Sequence, residues 1–268
     1  METASFDSSH SGSFLGSAKA EGWITDHREI EFLLAACPEG CLVSLDNGRP
    51  AGFITAMRYT KSAWIGNLLV LPEYRRLGMG RALMQQVLDH LDSAGCETIW
   101  LTASADGAHL YRTLGFRQID RVRRWRGFGT APGRGMNSFY SAAVATVDCM
   151  GWGDDRRLIF EALPENCCSV TVHDGFMVCT PGNEGVHIGP WGAVSREAAA
   201  AVLGAALSGE GTGGEIFLDS PENNRSAGEV LLSSGFRVTG STLLMYRGRE
   251  PEYRPEYIYS LASMGSYG

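Results

Sequence analysis

The sequence predicts an α/β (α+β) fold of two tandem domains, each a mixed, mostly antiparallel sheet flanked by helices. Three observations carry this expectation. A chain of 268 residues has room for two compact domains. Landmarks recur in the same order at an offset of about 120 residues. Each half runs through the same succession of helix-like and strand-like segments. Glu21-Gly22-Trp23 returns as Met150-Gly151-Trp152, and Trp64-Ile65-Gly66 returns as His187-Ile188-Gly189. Leu114-Gly115-Phe116-Arg117 returns as Ser234-Gly235-Phe236-Arg237, and Trp125-Arg126-Gly127 as Tyr246-Arg247-Gly248. The domains are expected over 14–127 and 136–268, with the Gly- and Pro-rich stretch Gly127 to Gly135 linking them.

The elements follow in order. A helix is predicted over Arg28 to Ala36, with a counterpart over Asp155 to Leu163 for which Asp154 suits the N-cap. Leu42 to Met57 reads as a hairpin turning at Asp46-Asn47-Gly48, and Cys168 to Cys179 repeats it around Asp174-Gly175. Third strands are expected at Ala63 to Leu71 and Gly185 to Val194. The helix after the first of these has one apolar face, Leu83, Met84, Val87, Leu88 and Leu91, with Gly95 as its C-terminal stop. Alanine-rich Arg196 to Leu207 is its counterpart. Buried strands follow at Thr98 to Thr102 and Glu215 to Leu218, then a short helix and a last strand close each half. Met1 to Ser13 is polar without a strand pattern, so the first half is expected to lack its edge strand or to begin in a disordered tail.

Composition narrows the function. Apolar residues make up 44% of the chain, which is globular. The net charge is −7, so nucleic acid is not expected as a partner. The basic run Arg121 to Arg126 is interrupted by Val122 and Trp125 and reads as a strand. No stretch of roughly 18 apolar residues offers a membrane span. The Ser- and Gly-rich start lacks a signal-peptide pattern, and a cytoplasmic protein is expected. Seven cysteines have no framework spacing, and no second Cys/His pair of zinc-site spacing follows Cys37 and Cys41. Reduced structural thiols and no metal are expected.

Two runs carry the chemistry. Val70-Leu-Pro-Glu-Tyr-Arg75-Arg76-Leu77-Gly78-Met79-Gly80-Arg81 is a strand end, a basic glycine-rich loop and a helix start. Converging backbone amides, the helix N-terminus and arginine charge suit a pyrophosphate. His109-Leu-Tyr111-Arg-Thr-Leu-Gly115-Phe116 places a tyrosine one helical turn before a Gly-Phe that ends a helix and starts a strand. Together these runs resemble the GNAT superfamily of acyl-CoA-dependent N-acyltransferases, over most of Gly22 to Gly127.

The resemblance implies acetyl-CoA as co-substrate. Arg75, Arg76, Leu77, Gly78, Met79, Gly80 and Arg81 would hold the pyrophosphate, and Leu69 and Val70 would pair with the pantetheine arm. Tyr111 would protonate the departing thiolate. Ser104 stands seven residues before it, where family members often have Asn. Many also carry a Glu on a central strand as general base. Here Trp64 to Leu71 offers only Asn67, and Thr98 to Thr102 has no acid. The base is left to a water held by backbone carbonyls or to an acid from the other half.

The second half lacks both runs. Its loop reads Ile188-Gly-Pro190-Trp-Gly-Ala-Val-Ser195-Arg196, and Leu231 stands at the tyrosine position. It resembles the degenerate C-terminal domain of tandem bacterial acetyltransferases. Its retained polar residues Asp155, His187 and Asp219, with Asn67 of the first half, are candidate acceptor contacts. Asp219 and Asn224 could equally cap a helix, and Asp155 could pair with an arginine. The function expected is transfer of an acetyl group to a primary amine of a small molecule. The alternatives are a protein or peptide acceptor, or a non-catalytic acyl-CoA sensor. The oligomeric state is open.

Overall fold

Burial on alternate residues selects strands, and burial at every third or fourth residue selects helices. The structure, a computed structural model, describes residues 2–130, 141–164, 166–172, 174–182, 184–208 and 213–268. The first half contains β1 (Glu2–Ser5), α1 (Ser8–Ala20), α2 (His27–Ala36), β2 (Leu42–Asp46), β3 (Arg49–Arg58) and β4 (Ser62–Val70). It continues with α3 (Met79–Ser93), β5 (Thr98–Ala103), α4 (Gly107–Thr113) and β6 (Arg117–Thr130). The second half contains α5 (Ala142–Trp152), α6 (Arg157–Glu161), β7 (Cys168–Val172), β8 (Gly175–Gly182) and β9 (Gly185–Ala193). It ends with α7 (Arg196–Leu207), β10 (Gly213–Pro221), α8 (Arg225–Ser233), β11 (Arg237–Gly248) and β12 (Ile258–Ser260).

All these strands join one sheet, in the order β1-β2-β3-β4-β5-β11-β6-β10-β9-β8-β7, with β12 on β9. Among the described strands, β4–β5 and β9–β10 pair in parallel and the rest are antiparallel. The halves interlock. β11 lies between β5 and β6, from Leu243↔Ala103 to Gly248↔Thr98 on one side. β6 in turn pairs with β10, from Gly213↔Thr130 to Pro221↔Val122.

Helices cover both faces. On one, α3 buries Leu83, Val87 and Leu91 against Ile54, Ile65, Leu101 and Met245. On the other, Phe14, Ile30 and Leu33 share a core with Trp64, Trp100, Trp152 and Tyr246, drawn from both halves. Trp152 meets Trp64 and Trp100 edge-on, with ring centroids 6.1 and 5.5 Å apart. Such pairs contribute about 0.5–1.5 kcal/mol each beyond their buried area.

The expected α2, both hairpins, the third strands and α3 with Gly95 at φ +77 are all present. Four details differ. The first half does have an edge strand: β1 pairs with β2 from Glu2↔Leu45 to Ser5↔Leu42. Phe6 and Phe14 anchor it by packing on Phe53. A four-residue edge strand with both faces partly exposed leaves no apolar alternation to read. Second, Gly127 to Thr130 continue β6; residues 131–135 of the expected linker lie outside the described residues. Third, the helix expected from Asp155 shortens to α6, while α5 forms before it, capped by Ser141.

Fourth, Asp154 caps no helix. Its carboxylate accepts from the Lys61 and Ser62 amides and from Ser62 Oγ, the last two at 2.8 Å. It therefore ties the second half to the start of β4. Asp154→Ala leaves these donors without a partner and is expected to cost about 3 kcal/mol. Urea denaturation checks this, and an unchanged midpoint would contradict it.

Candidate active site

β4 and β5 pair only from Ser62↔Thr98 to Trp64↔Trp100 and then diverge. The cause is local. Asn67 sits at φ +54, a region few non-glycine residues adopt. The β3–β4 register slips between Phe53↔Leu69 and Thr55↔Gly66, so β4 carries one extra residue. Such a bulge bends its own strand and ends pairing on one side. Leu69 and Val70 pair with β3 but not with β5. Their outer edge borders a wedge between the two strands.

The wedge runs toward the start of α3. Beyond Val70 the chain turns through Arg76 at φ +62 and Gly78 at φ +84. Gly78 is the N-cap of α3 and offers no side chain to its amides. The helical ladder begins only with Ala82 N–H donating to Gly78 O, 3.0 Å. The preceding amides thus form an uncapped, partly positive helix end. Arg75 Nε donates to Val70 O at 2.8 Å, and its guanidinium pairs with Glu21. Arg81 donates to Thr113 Oγ1 at 2.6 Å, tying α3 to α4. Leu77 is exposed, while Met79 is buried and packs on Gly52.

α4 stands beside this loop, with Leu110 reaching Gly80. Ser104 Oγ accepts from the Gly107 amide at 3.1 Å and so sets where α4 begins. The half-buried Tyr111 ring packs on Phe116 at 6.0 Å and against Gly107. Burial pushes its phenol up to about 12, so it holds its proton at neutral pH.

Comparison with known proteins agrees with this geometry. Residues 8–116 match the Acetyltransferase (GNAT) family, and residues 144–260 match an Acetyltransferase (GNAT) domain. The chain belongs to the GNAT acetyltransferase family. One relative is the ribosomal protein bS18-alanine N-acetyltransferase of Escherichia coli (strain K12), 35% identical over 91 residues. That match covers 33% of this chain and 60% of the relative's length. The uncharacterized N-acetyltransferase YitH of Bacillus subtilis (strain 168) is 24% identical over 216 residues, 74% of each chain. A solved protein of Pyrococcus horikoshii shares the fold over both halves, with a TM-score of 0.83 at 23% identity. It covers 100% of this chain and 95% of that one.

The second GNAT half has the same parallel pair, from Ile216↔Val186 to Leu218↔Ile188, but its wedge is closed. β12 pairs with β9 there. Ser260 Oγ donates to Ile188 O at 2.7 Å and accepts from Asp219 N–H at 3.2 Å; Leu261 N–H donates to Asp219 O at 2.8 Å. A Cβ on Gly189 would lie 2.0 Å from Leu261 O, so only glycine allows this approach.

The chain then crosses to the floor of the first wedge. Asn67 N–H donates to Gly265 O at 3.0 Å, and Thr102 Oγ1 donates to Met264 O at 2.7 Å. A Cβ on Gly66, the counterpart of Gly189, would lie 2.2 Å from Gly265 O. Asn67 Nδ2 donates to Thr55 Oγ1 at 3.0 Å and to Ser266 Oγ at 3.1 Å. Ser263 Oγ donates to Glu29 Oε1 at 2.7 Å. Burial raises the Glu29 carboxyl above its ordinary range, against the hydrogen bond from Ser263. Sequence reasoning passed over Glu29 and residues 261–268; the only signal is small residues facing Gly66.

Asn67, Leu69 and Val70 lie on the β4 side of the wedge, Arg75 to Arg81 form the loop and helix start that follow, and Ser104 and Tyr111 belong to the α4 segment, whose Leu110 reaches that loop. Asp155, His187 and Asp219 lie elsewhere. Among the described residues, none of the three hydrogen-bonds to the wedge or its loop. Asp155 is exposed and accepts from Arg157 N–H at 3.0 Å. Asp219 is wholly buried and grips the Arg124 guanidinium through two bonds, at 2.9 and 2.7 Å. His187 packs beside them, 5.0 Å from the Phe217 ring. Among the described residues no cluster of His, Cys, Asp or Glu is placed to hold a metal, and no helix is long and apolar enough to cross a membrane.

Burial pushes His187 down from 6.5 to about 4. A depressed imidazole favours the fold while neutral. That stability is fully present above pH 6.5 and is lost as pH falls toward 4. His187→Gln is expected to flatten the acid side of the stability–pH curve, measured by urea melts. An equal slope in wild type and variant would contradict this.

Proposed function

We propose that the protein transfers an acetyl group from acetyl-CoA to a primary amine of a small molecule, by direct attack in a ternary complex. The bulge-opened wedge that leads into the uncapped start of α3 carries this reading. A pyrophosphate needs several N–H donors and cations, and residues 75–81 offer both. A pantetheine arm needs an unpaired strand edge, which Leu69 and Val70 present. We assign cofactor binding to residues 14–127 and a share of the acceptor site to 136–268.

CoA would supply the activated thioester, and this chain's residues would do the rest. Tyr111 keeps its proton at neutral pH and would give it to sulfur as the C–S bond breaks. The Asn67 amide is engaged by Gly265 O, so a β4 amide beyond the bulge would face the carbonyl oxygen. What supports a small acceptor is the cover over the α2 side of the wedge, made by residues 261–268. The bS18-alanine N-acetyltransferase relative favours a second reading, an N-terminal amine of a protein.

Calorimetric titration with acetyl-CoA is expected to show micromolar binding to wild type. Gly78→Asp places an anion in the loop and is expected to weaken it about 100-fold, or about 3 kcal/mol. No binding by wild type would remove the transferase reading.

Tyr111→Phe is expected to retain binding and to lower kcat about 100-fold in a thiol-release assay. Unchanged kcat would remove its role as acid. The same assay should run faster with small primary amines than with peptides beginning in alanine; the reverse order selects the second reading.

A further inference from the structure

The transferase reading gives the pantetheine arm a strand edge, and one group on that edge is already engaged. Leu71 N–H donates to Ala51 O at 3.0 Å, so Leu71 turns its backbone groups toward β3. Leu69 does the same, since a Cβ on Gly52 of β3 would lie 3.2 Å from Leu69 O. Backbone groups alternate in direction along a strand, and those of Val70 between them point to the wedge. Val70 O has a partner there. The Arg75 side chain reaches back, and its Nε donates to Val70 O at 2.8 Å.

Glu21 holds the arginine in this place. Its carboxylate pairs with the other end of the guanidinium, across 54 residues of sequence. Glu21 itself is fixed. It ends α1, where its N–H donates to Ser17 O and Ala18 O, both at 3.1 Å. Phe14 and Ala18 anchor that helix in the core. Arg75 is the movable member, a long side chain on the loop that follows β4. Both side chains are open to water, Arg75 at 45% and Glu21 at 33%. Ion pairs this exposed are weak and exchange readily.

We propose that Arg75 guards the cofactor groove and selects CoA thioesters over thioesters that carry pantetheine without the nucleotide. The inference rests on the transferase reading above. In the free protein Arg75 covers Val70 O and Glu21 keeps it there. When acyl-CoA binds, a pantetheine N–H takes the Val70 carbonyl and the guanidinium turns to the pyrophosphate. Val70 O exchanges one N–H donor for another, and Arg75 exchanges a carboxylate for a phosphate. Glu21 is left to water, which its exposure permits.

The pyrophosphate wins the guanidinium because it carries more charge than one carboxylate and sits against the uncapped start of α3. A pantetheine thioester without the nucleotide offers Arg75 no new partner and must displace it unaided. Glu21 therefore acts as a positioning residue that competes with the cofactor, and Arg75 opposes one half of CoA while binding the other.

The test is the affinity of wild type, Arg75→Ala and Glu21→Gln for acetyl-CoA, S-acetylpantetheine and ADP. Calorimetry reads the first, and competition against acetyl-CoA reads the other two. Arg75→Ala is expected to bind S-acetylpantetheine about 5-fold tighter than wild type, and ADP about 10-fold weaker. Glu21→Gln keeps the side-chain shape and removes the charge, so it reports even if Arg75→Ala unsettles the loop. It is expected to bind acetyl-CoA and S-acetylpantetheine about 3-fold tighter. S-acetylpantetheine bound by Arg75→Ala no better than by wild type overturns the proposal. Acetyl-CoA bound by Glu21→Gln equally or more weakly also overturns it, because the pair would then hold Arg75 where the cofactor needs it. Either result leaves the transferase reading intact, whereas no acetyl-CoA binding by wild type removes both.

Discussion

One departure from regular pairing underlies the site: β4 leaves β5 after Trp64↔Trp100 because Asn67 inserts a bulge. A splayed parallel pair exposes backbone N–H and C=O groups that need partners. The two halves meet this demand differently. In the second, β12 and Leu261 fill the gap, and the wedge becomes part of the sheet. In the first, Gly265 and Met264 bridge only the floor, through Asn67 and Thr102. Among the described residues no strand pairs with Leu69 and Val70 on the β5 side, where Arg75 Nε holds Val70 O. A single stretch, 258–266, thus closes one wedge and floors the other, and the equivalent glycines 66 and 189 make room for it.

The degenerate half is therefore more than a cover. Its β11 completes the sheet beside β5, and its Trp152 fills the core against Trp64 and Trp100. Asp154 fixes the start of β4, the strand that carries the bulge. Arg156 and Asp148 form a buried ion pair next to Tyr59, whose hydroxyl donates to Tyr267 O in the floor segment. Removing the second half would leave the first with exposed edges, a cut core and no wedge floor. This is a physical reason for keeping a domain that has lost the loop and the tyrosine.

Much of this was legible in the sequence. The repeat, the hairpins, α3 and the glycine-rich loop all rest on short-range patterns: a period of 3.6 residues, a period of 2, and glycine where φ is positive. The wedge was harder to see, because its bulge residue is Asn67 and not glycine. β1 was invisible for want of apolar alternation in four edge residues. Asp154, Glu29 and the floor segment act across about 90 to 230 residues of sequence, and no local pattern announces such contacts. Asp219 looked like an acceptor contact because it is an acid at a strand end. Its partner, Arg124, comes from the other half, on the neighbouring strand β6.

A crystal structure of the protein grown with CoA is the most direct test. The expected result is one CoA per chain. Its pyrophosphate would lie on residues 75–81 and its pantetheine along Leu69 and Val70, with β12 still seated between β9 and β10. CoA bound in the second half, or away from the β4–β5 wedge, would contradict it.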